Sequence, residues 1–333
     1  MIDPTTAASW PQHLPPYPQK CTSLTIVAGI LAVVFLIWAL VVTVTLLGEP
    51  ATELKYYDEW TYGSHAGPLE WDGTCATGKE QSPINLDSYG PAYSGAPIRF
   101  NYNDSSTVVV KDTKHGTMNV AFCESATACY SPANTITIKD KETGVDKDYT
   151  LLQFHFHANS EHTVDQTTYP AEVHFVHLSQ DGKLAVIGVF FDAAMADRSD
   201  LDTEANDLLA NILKNATIYD AKPGFPSPNS FSKFGSDLTG KGKSMTVNPK
   251  HFMKAAAGGA QQVWTYDGSL TTPPCSEGLA WHVFKNNVLK VDARQFFELL
   301  SYFGQSLNKG EVHHTQNYRL PQPLNGRTIK LWQ

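Results

Sequence analysis

Runs in which every second residue is apolar recur through the chain, and alternation of that kind puts one set of side chains on each face of a strand. Such runs cover Thr107 to Lys111, Thr135 to Lys139, Tyr149 to His157, Ala171 to Leu178 and Lys183 to Phe191, and each predicts a β-strand. Two other stretches, Asp202 to Asn215 and Val291 to Phe303, place apolar residues three and four apart. That spacing predicts helices, the second with Asp292 as its N-cap. Many strands and few helices predict a mainly β domain on a large, mostly antiparallel sheet.

One segment has neither period. Residues 21 to 48 carry no charged side chain, and a run of that length spans a bilayer as a helix with some tilt. A cleaved leader has an apolar stretch of roughly 7–15 residues after a short basic start. Here a Pro-rich stretch comes first and the apolar run is longer, so a retained anchor is expected. The organisation read from the chain is a Pro-rich cytosolic tail over 1–23, a transmembrane signal-anchor helix over 24–47, a linker over 48–56 and one catalytic domain over 57–333. Lys20 precedes the apolar segment, while Glu49 and Glu53 follow it. The excess of positive charge on cytosolic flanks then predicts a single-pass type II protein with its large domain extracellular or lumenal.

Composition narrows the classes. Hydrophobic residues are 42% and charged residues 17%, which suits a globular fold. The formal net charge of -8 gives no general attraction to nucleic acid or to an anionic membrane surface, so no nucleic-acid partner is expected. Nothing in the chain specifies an oligomeric state. The five cysteines, Cys21, Cys75, Cys123, Cys129 and Cys275, include no C-x-x-C pair, which disfavours a zinc ribbon or a thioredoxin-like site. The odd count leaves at least one thiol unpaired, and Cys21, beside the apolar segment, is the natural one. Cys123 and Cys129 are near enough in sequence to close a small loop across a hairpin, with pairing and free thiols both open. The sequons Asn103-Asp104-Ser105 and Asn215-Ala216-Thr217 predict glycosylation at Asn103 and Asn215.

The densest chemistry is Leu151-Leu-Gln-Phe-His-Phe-His-Ala-Asn-Ser-Glu-His162. On a strand Gln153, His155 and His157 share one face, and Phe154 and Phe156 take the other. A second strand offers Glu172-Val-His174 in the same alternation. If the strands pair, His174 joins His155 and His157 in a three-histidine site, and three protein ligands with one open position is the layout of catalytic zinc. Gln153 and Glu172 each lie two residues before a candidate ligand, where they can accept from the second ring nitrogen and fix the tautomer. A single inward histidine is more often a hydrogen-bonded core residue, and that is the expectation for His162 and His177. His155-x-His157 followed by Glu161 also fits the first motif of the iron- or manganese-binding cupins. Tyr149 and Thr168 stand where that motif needs glycine, so it is the distant alternative.

The chain resembles the alpha carbonic anhydrases across nearly the whole domain. The blocks are Trp60-Thr-Tyr62-Gly63, Gly67-Pro68, Trp71, Gln81-Ser82-Pro83-Ile84, Gln153-Phe-His155-Phe-His157 and Ser160-Glu161-His162-Thr163-Val164. They continue with Glu172-Val-His174-Phe-Val176-His177, Leu184-Ala-Val186-Ile-Gly188, Gly268-Ser-Leu270-Thr271-Thr272-Pro273-Pro274-Cys275, Trp281 and Asn317-Tyr-Arg319. The resemblance implies a ten-stranded, mostly antiparallel twisted sheet with short surface helices. It implies a Zn2+ enzyme, a lyase (carbonate dehydratase), that interconverts carbon dioxide and bicarbonate through a zinc-bound hydroxide.

By the same resemblance His155, His157 and His174 match the zinc ligands. Gln153 and Glu172 match the partners of His155 and His174, and Asn317 matches the residue whose carbonyl supports His157. Thr271 matches the hydroxyl that accepts the nucleophile's proton and passes its own toward Glu161. Val176, Val186, Leu270 and Trp281 match the apolar wall of the substrate pocket, with Thr272 beside it. Cys75 and Cys275 match a disulfide of extracellular members, one that would pin the loop of Thr271 and fits an oxidising compartment. The usual proton-shuttle position, counted back from Asn119, holds Gly116, with His115 one residue earlier. His115 is the expected shuttle only if a bulge or loop turns it round; the alternative is a solvent-exposed hairpin histidine. A catalytically silent relative that binds another protein is the competing class, and such relatives typically lack a ligand.

Overall fold

A computed structural model describes residues 60–332 apart from 64–66, 88–91, 94–95, 114, 126–127, 130–132, 141–142, 219–234, 237–241, 255–260 and 308–315. The expected tail, apolar anchor and linker lie outside the described residues. Among those described, no helix is long and apolar enough to cross a membrane.

The sheet strands that position the site are β1 (Ser106–Asp112), β2 (Met118–Ala121), β3 (Thr135–Lys139), β4 (Asp146–His157), β5 (Ala171–Ser179), β6 (Leu184–Ala193), β7 (Lys243–Val247), β8 (Val263–Ser269), β9 (Glu277–Phe284) and β10 (Lys330–Trp332). They run β7-β1-β2-β4-β5-β6-β9-β8-β10 and end on a short strand at Ala92–Tyr93. That path has ten strands. Among the described residues the sheet has thirteen, because β3, Arg99–Asn101 and Leu289–Val291 pair off the path. The expected count of ten is corrected accordingly. Pairing is mostly antiparallel; parallel exceptions join β6 to β9 and to Leu289–Val291, and Ala92–Tyr93 to β10.

Sequence alternation finds β1 and β3 to β6 within a few residues. β8 and β9 escape it because both their faces are covered: Val263, Trp264 and Tyr266 are buried on one strand, and Leu279, Trp281, His282, Val283 and Phe284 on the other. A strand buried on both faces has no polar face for alternation to reveal. α1 (Thr203–Asn215) follows its predicted span. α2 (Ala293–Leu307) starts two residues later than the spacing suggests. Val291 belongs to the strand Leu289–Val291, which pairs with β6. Asp292 then caps α2, accepting from Arg294 N at 3.0 Å.

Alternation sorts the sheet into two unlike faces. Phe154, Phe156, Val173, Phe175, Ile187, Val189 and Phe191 are fully buried in the main core, with Leu209, Ile212, Leu299 and Phe303 from α1 and α2. Each such side chain contributes roughly 1.5–3 kcal/mol of transfer free energy, so this face holds the sheet rigid behind the site. The opposite face carries a second apolar cluster containing Val176, Val186, Tyr266, Trp281 and Val283.

Candidate metal centre

Register brings the histidines together. Across β4 and β5, His174 stands opposite His155, Glu172 opposite His157 and Val176 opposite Gln153. The three rings have centroid separations of 5.0, 5.4 and 4.6 Å, and their ligand nitrogens lie within 4.8 Å of one another. Each outer nitrogen has an oxygen close beside it. His155 Nδ1 is 2.9 Å from Gln153 Oε1, and His157 Nδ1 is 2.7 Å from the Asn317 carbonyl. His174 Nε2 lies 2.9 Å from Glu172 Oε1, outside regular hydrogen-bond alignment. What remains, Nε2 of His155 and His157 and Nδ1 of His174, faces a common point.

That point has the marks of a cation site. His157 Nε2 and Glu161 Oε2 are buried and lack a hydrogen-bond partner among the described residues; they are 3.5 Å apart, and Glu161 Oε2 is 3.8 Å from His174 Nδ1. Burial holds His155 and His174 below the ordinary histidine range, and His157 at about 3, with His174 adding to the effect. The rings are therefore neutral at neutral pH, the form that binds metal. The carboxylate of Glu172 stays ionised: burial alone would raise its pKa, but His162 and His174 outweigh it. Gly188 makes room for this carboxylate, since a Cβ there would lie 2.8 Å from Glu172 Oε1.

Glu161 and Thr271 converge from different loops, and both are buried. Arg319 N donates to Glu161 Oε1 at 2.8 Å. Burial pushes the Glu161 carboxyl well up, and the Thr271 hydroxyl is the largest influence against that rise. Val176, Val186 and Trp281 belong to the second apolar cluster, and Leu270 packs against it. Trp281 Nε1 donates to Ser269 O at 3.0 Å, and Thr272 O accepts from Cys275 N at 2.8 Å. The Cys75–Cys275 disulfide closes beneath this loop.

Other expected residues lie apart from the rings. His115 is half-buried and stacks on Trp60 at 4.0 Å, with its Nδ1 2.9 Å from the Trp60 carbonyl. Cys123 is disulfide-bonded, and the backbone ladder sets it opposite Cys129. Asn103 is exposed, whereas Asn215 ends α1 with its amide donating to Asn211 O at 2.8 Å. His162 and His177 are fully buried and hydrogen-bonded, to Glu172 and Tyr266 and to Tyr102 and Phe175. Three participants carry no role in the sequence reading. Tyr62 is buried, and its phenol is pushed up by that burial and by the nearby charge of Glu161. Arg319 ties Gln81, Ser82 and Cys75 together. Tyr266 bridges His162 and Ser82. Tyr62 and Arg319 stood inside the quoted blocks; Tyr266 had no signal beyond an aromatic in an undetected strand.

The model of the eukaryotic-type carbonic anhydrases matches residues 66–332. Carbonic anhydrase 7 of Homo sapiens is 29% identical over 293 residues, covering 81% of this chain and 96% of the relative. A carbonic anhydrase of Pectobacterium carotovorum is 30% identical over 276 residues, covering 81% and 89%. Among solved structures, Cah3 of Chlamydomonas reinhardtii in complex with acetazolamide matches with a TM-score of 0.58 at 30% identity, covering 82% of this chain and 99% of that one. Dioscorin complexed with ascorbate matches with a TM-score of 0.60 at 25% identity, covering 82% and 98%.

Proposed function

The chain belongs to the eukaryotic-type carbonic anhydrases and catalyses the reversible hydration of carbon dioxide; from that premise we propose that its cofactor is Zn2+, held by His155, His157 and His174. The carrying observation is the convergence of three neutral imidazoles, two of them hydrogen-bonded through the outer nitrogen and the third set 2.9 Å from Glu172 Oε1. When bound, zinc supplies the Lewis acidity that ionises a solvent molecule near pH 7, a value for which carbonic anhydrase is the standard example.

The protein's own groups do the positioning. Gln153, Glu172 and the Asn317 carbonyl fix the three rings in the tautomers that leave their inner lone pairs free. Glu161 offers its carboxylate to the Thr271 hydroxyl. Once that proton is given, the Thr271 oxygen only accepts, which selects one orientation of the attacking group. Val176, Val186, Leu270 and Trp281 offer carbon dioxide an apolar wall, with Thr272 at its margin; bicarbonate leaves toward solvent. His115 lies one residue from the usual shuttle position, and its stacking on Trp60 sets where its ring starts.

Residues 24–47 are proposed as a membrane anchor with the catalytic domain on the extracellular or lumenal side. Their charge-free length and the Cys75–Cys275 disulfide support this. Stopped-flow hydration with zinc counted in the same sample tests the catalytic reading. His174→Ala should lose zinc. Thr271→Ala should keep it and lose on the order of 10²-fold in kcat. Stoichiometric zinc without hydration would favour a binding role.

A further inference from the structure

Behind the histidines, polar groups form one unbroken buried chain. Glu172 Oε1 is 2.8 Å from His162 Nδ1, and His162 Nε2 is 2.6 Å from the Tyr266 hydroxyl. Tyr266 is 2.9 Å from Ser82 Oγ, which accepts from Ser269 N at 3.0 Å. Ser269 Oγ accepts from Ser82 N at 2.9 Å and donates to Leu270 O at 2.7 Å. The next residue is Thr271. Glu172, His162, Tyr266, Ser82 and Ser269 are all buried, so solvent does not compete for any of these bonds.

His162 meets Glu172 with one ring nitrogen and Tyr266 with the other, and Tyr266 also meets Ser82. Two reciprocal bonds then tie Ser82 to Ser269. Buried hydrogen bonds in an unbroken series polarise one another, and each link resists rotation of the next. The packing around it is tight: a Cβ on Gly268 would lie 2.2 Å from Ser82 Oγ and 2.8 Å from the Tyr266 ring.

We propose that Tyr266 is a positioning residue for the hydration reaction: its hydroxyl carries the orientation set at Glu172 through Ser82 and Ser269 to the Leu270 peptide, and so sets where the Thr271 hydroxyl stands. The proposal rests on the zinc reading above. Tyr266 has two distinct duties in it. On one side it completes His162 and so steadies Glu172 behind the ligand His174. On the other it holds the loop of Thr271. Ser82 has only the second duty.

The test uses the full chain with Tyr266→Phe, Ser82→Ala and Thr271→Ala, singly and with Thr271→Ala combined with each of the others. Hydration is followed by stopped flow, and zinc release into excess chelator by absorbance. Tyr266→Phe and Ser82→Ala should each lower kcat/KM about tenfold in the wild-type background and hardly at all beside Thr271→Ala, since the loss is expressed through Thr271. Zinc release should be at least about threefold faster in Tyr266→Phe and unchanged in Ser82→Ala. Losses that multiply fully with Thr271→Ala, or equal release from all variants, would overturn the proposal. Should Tyr266→Phe not fold, the Ser82→Ala pair decides it through the same non-additivity. Wild-type protein that neither holds zinc nor hydrates carbon dioxide would instead remove the zinc reading, a pattern distinct from any failure at Tyr266.

Discussion

His282 offers a sharp test of how the buried interior is tuned. It lies on β9 opposite Thr265 and Ile187, on the face turned away from the metal centre. It is 5% exposed, and neither ring nitrogen has a hydrogen-bond partner among the described residues. Burial pulls its pKa down to about 4, against a smaller opposing influence from Asp267, and His177 is near enough to feel its charge. Above about pH 6.5 the ring is neutral in folded and unfolded chains alike and adds no pH dependence. Between about 6.5 and 4 the unfolded chain takes up a proton that the folded one refuses, so stability falls as pH falls. A depression of about 2.5 units at 1.36 kcal/mol each gives a loss of about 3 kcal/mol across that window.

His282→Leu removes the proton and both unpartnered nitrogens. The variant should be more stable at pH 7 by about 1–3 kcal/mol, because unsatisfied buried polar groups are gone. Its advantage should widen by about 3 kcal/mol between pH 7 and pH 4. Urea denaturation at fixed steps of pH, with the disulfides intact, measures both quantities. Histidines elsewhere and loss of metal in acid affect both proteins, so the difference isolates this ring. Denaturation midpoints that move in parallel with pH would refute the reasoning.

Three further outcomes are expected. Gly188→Ala should push the Glu172 carboxylate from its place and weaken zinc affinity about 10- to 100-fold, read by competition with a chelator; unchanged affinity would show that Glu172 does not steady His174. Reduction of Cys75–Cys275, which closes a loop of 200 residues, should cost up to about 5 kcal/mol in the chain-entropy account and lower turnover by freeing the Thr271 loop. Full activity after reduction, verified by thiol titration, would count against that coupling. Expression through a secretory pathway should add one glycan, removed by Asn103→Gln and not by Asn215→Gln, because Asn103 is exposed in the loop before β1 while the Asn215 amide is engaged at the end of a helix; a gel shift after glycosidase treatment reads the result.

Much of the site was legible before any coordinates. The alternation in Gln153-Phe-His155-Phe-His157 places ligand candidates and core phenylalanines on opposite faces, and period 2 is all that placement needs. Glu172 and His174 follow from the same rule. Pairing of their strands follows from tertiary register, which one strand's sequence does not contain. Tyr266 was invisible for a related reason: it lies on a strand covered on both sides, where alternation vanishes, and its partners Ser82 and His162 are more than 100 residues distant in the chain. The shift of α2 is similar. Val291 has helical spacing to its neighbours, yet a ladder with β6 claims it first.

The division of β4 and β5 into a histidine face and a phenylalanine face has a consequence for quality control. A slip of either strand by one residue would not produce a slightly worse centre. It would turn every ring on that strand inward among the hydrocarbons and push the phenylalanines into the cleft. Partly assembled centres are therefore scarce among near-native errors, and a metal ion held there would report that these two strands have met in the right alignment.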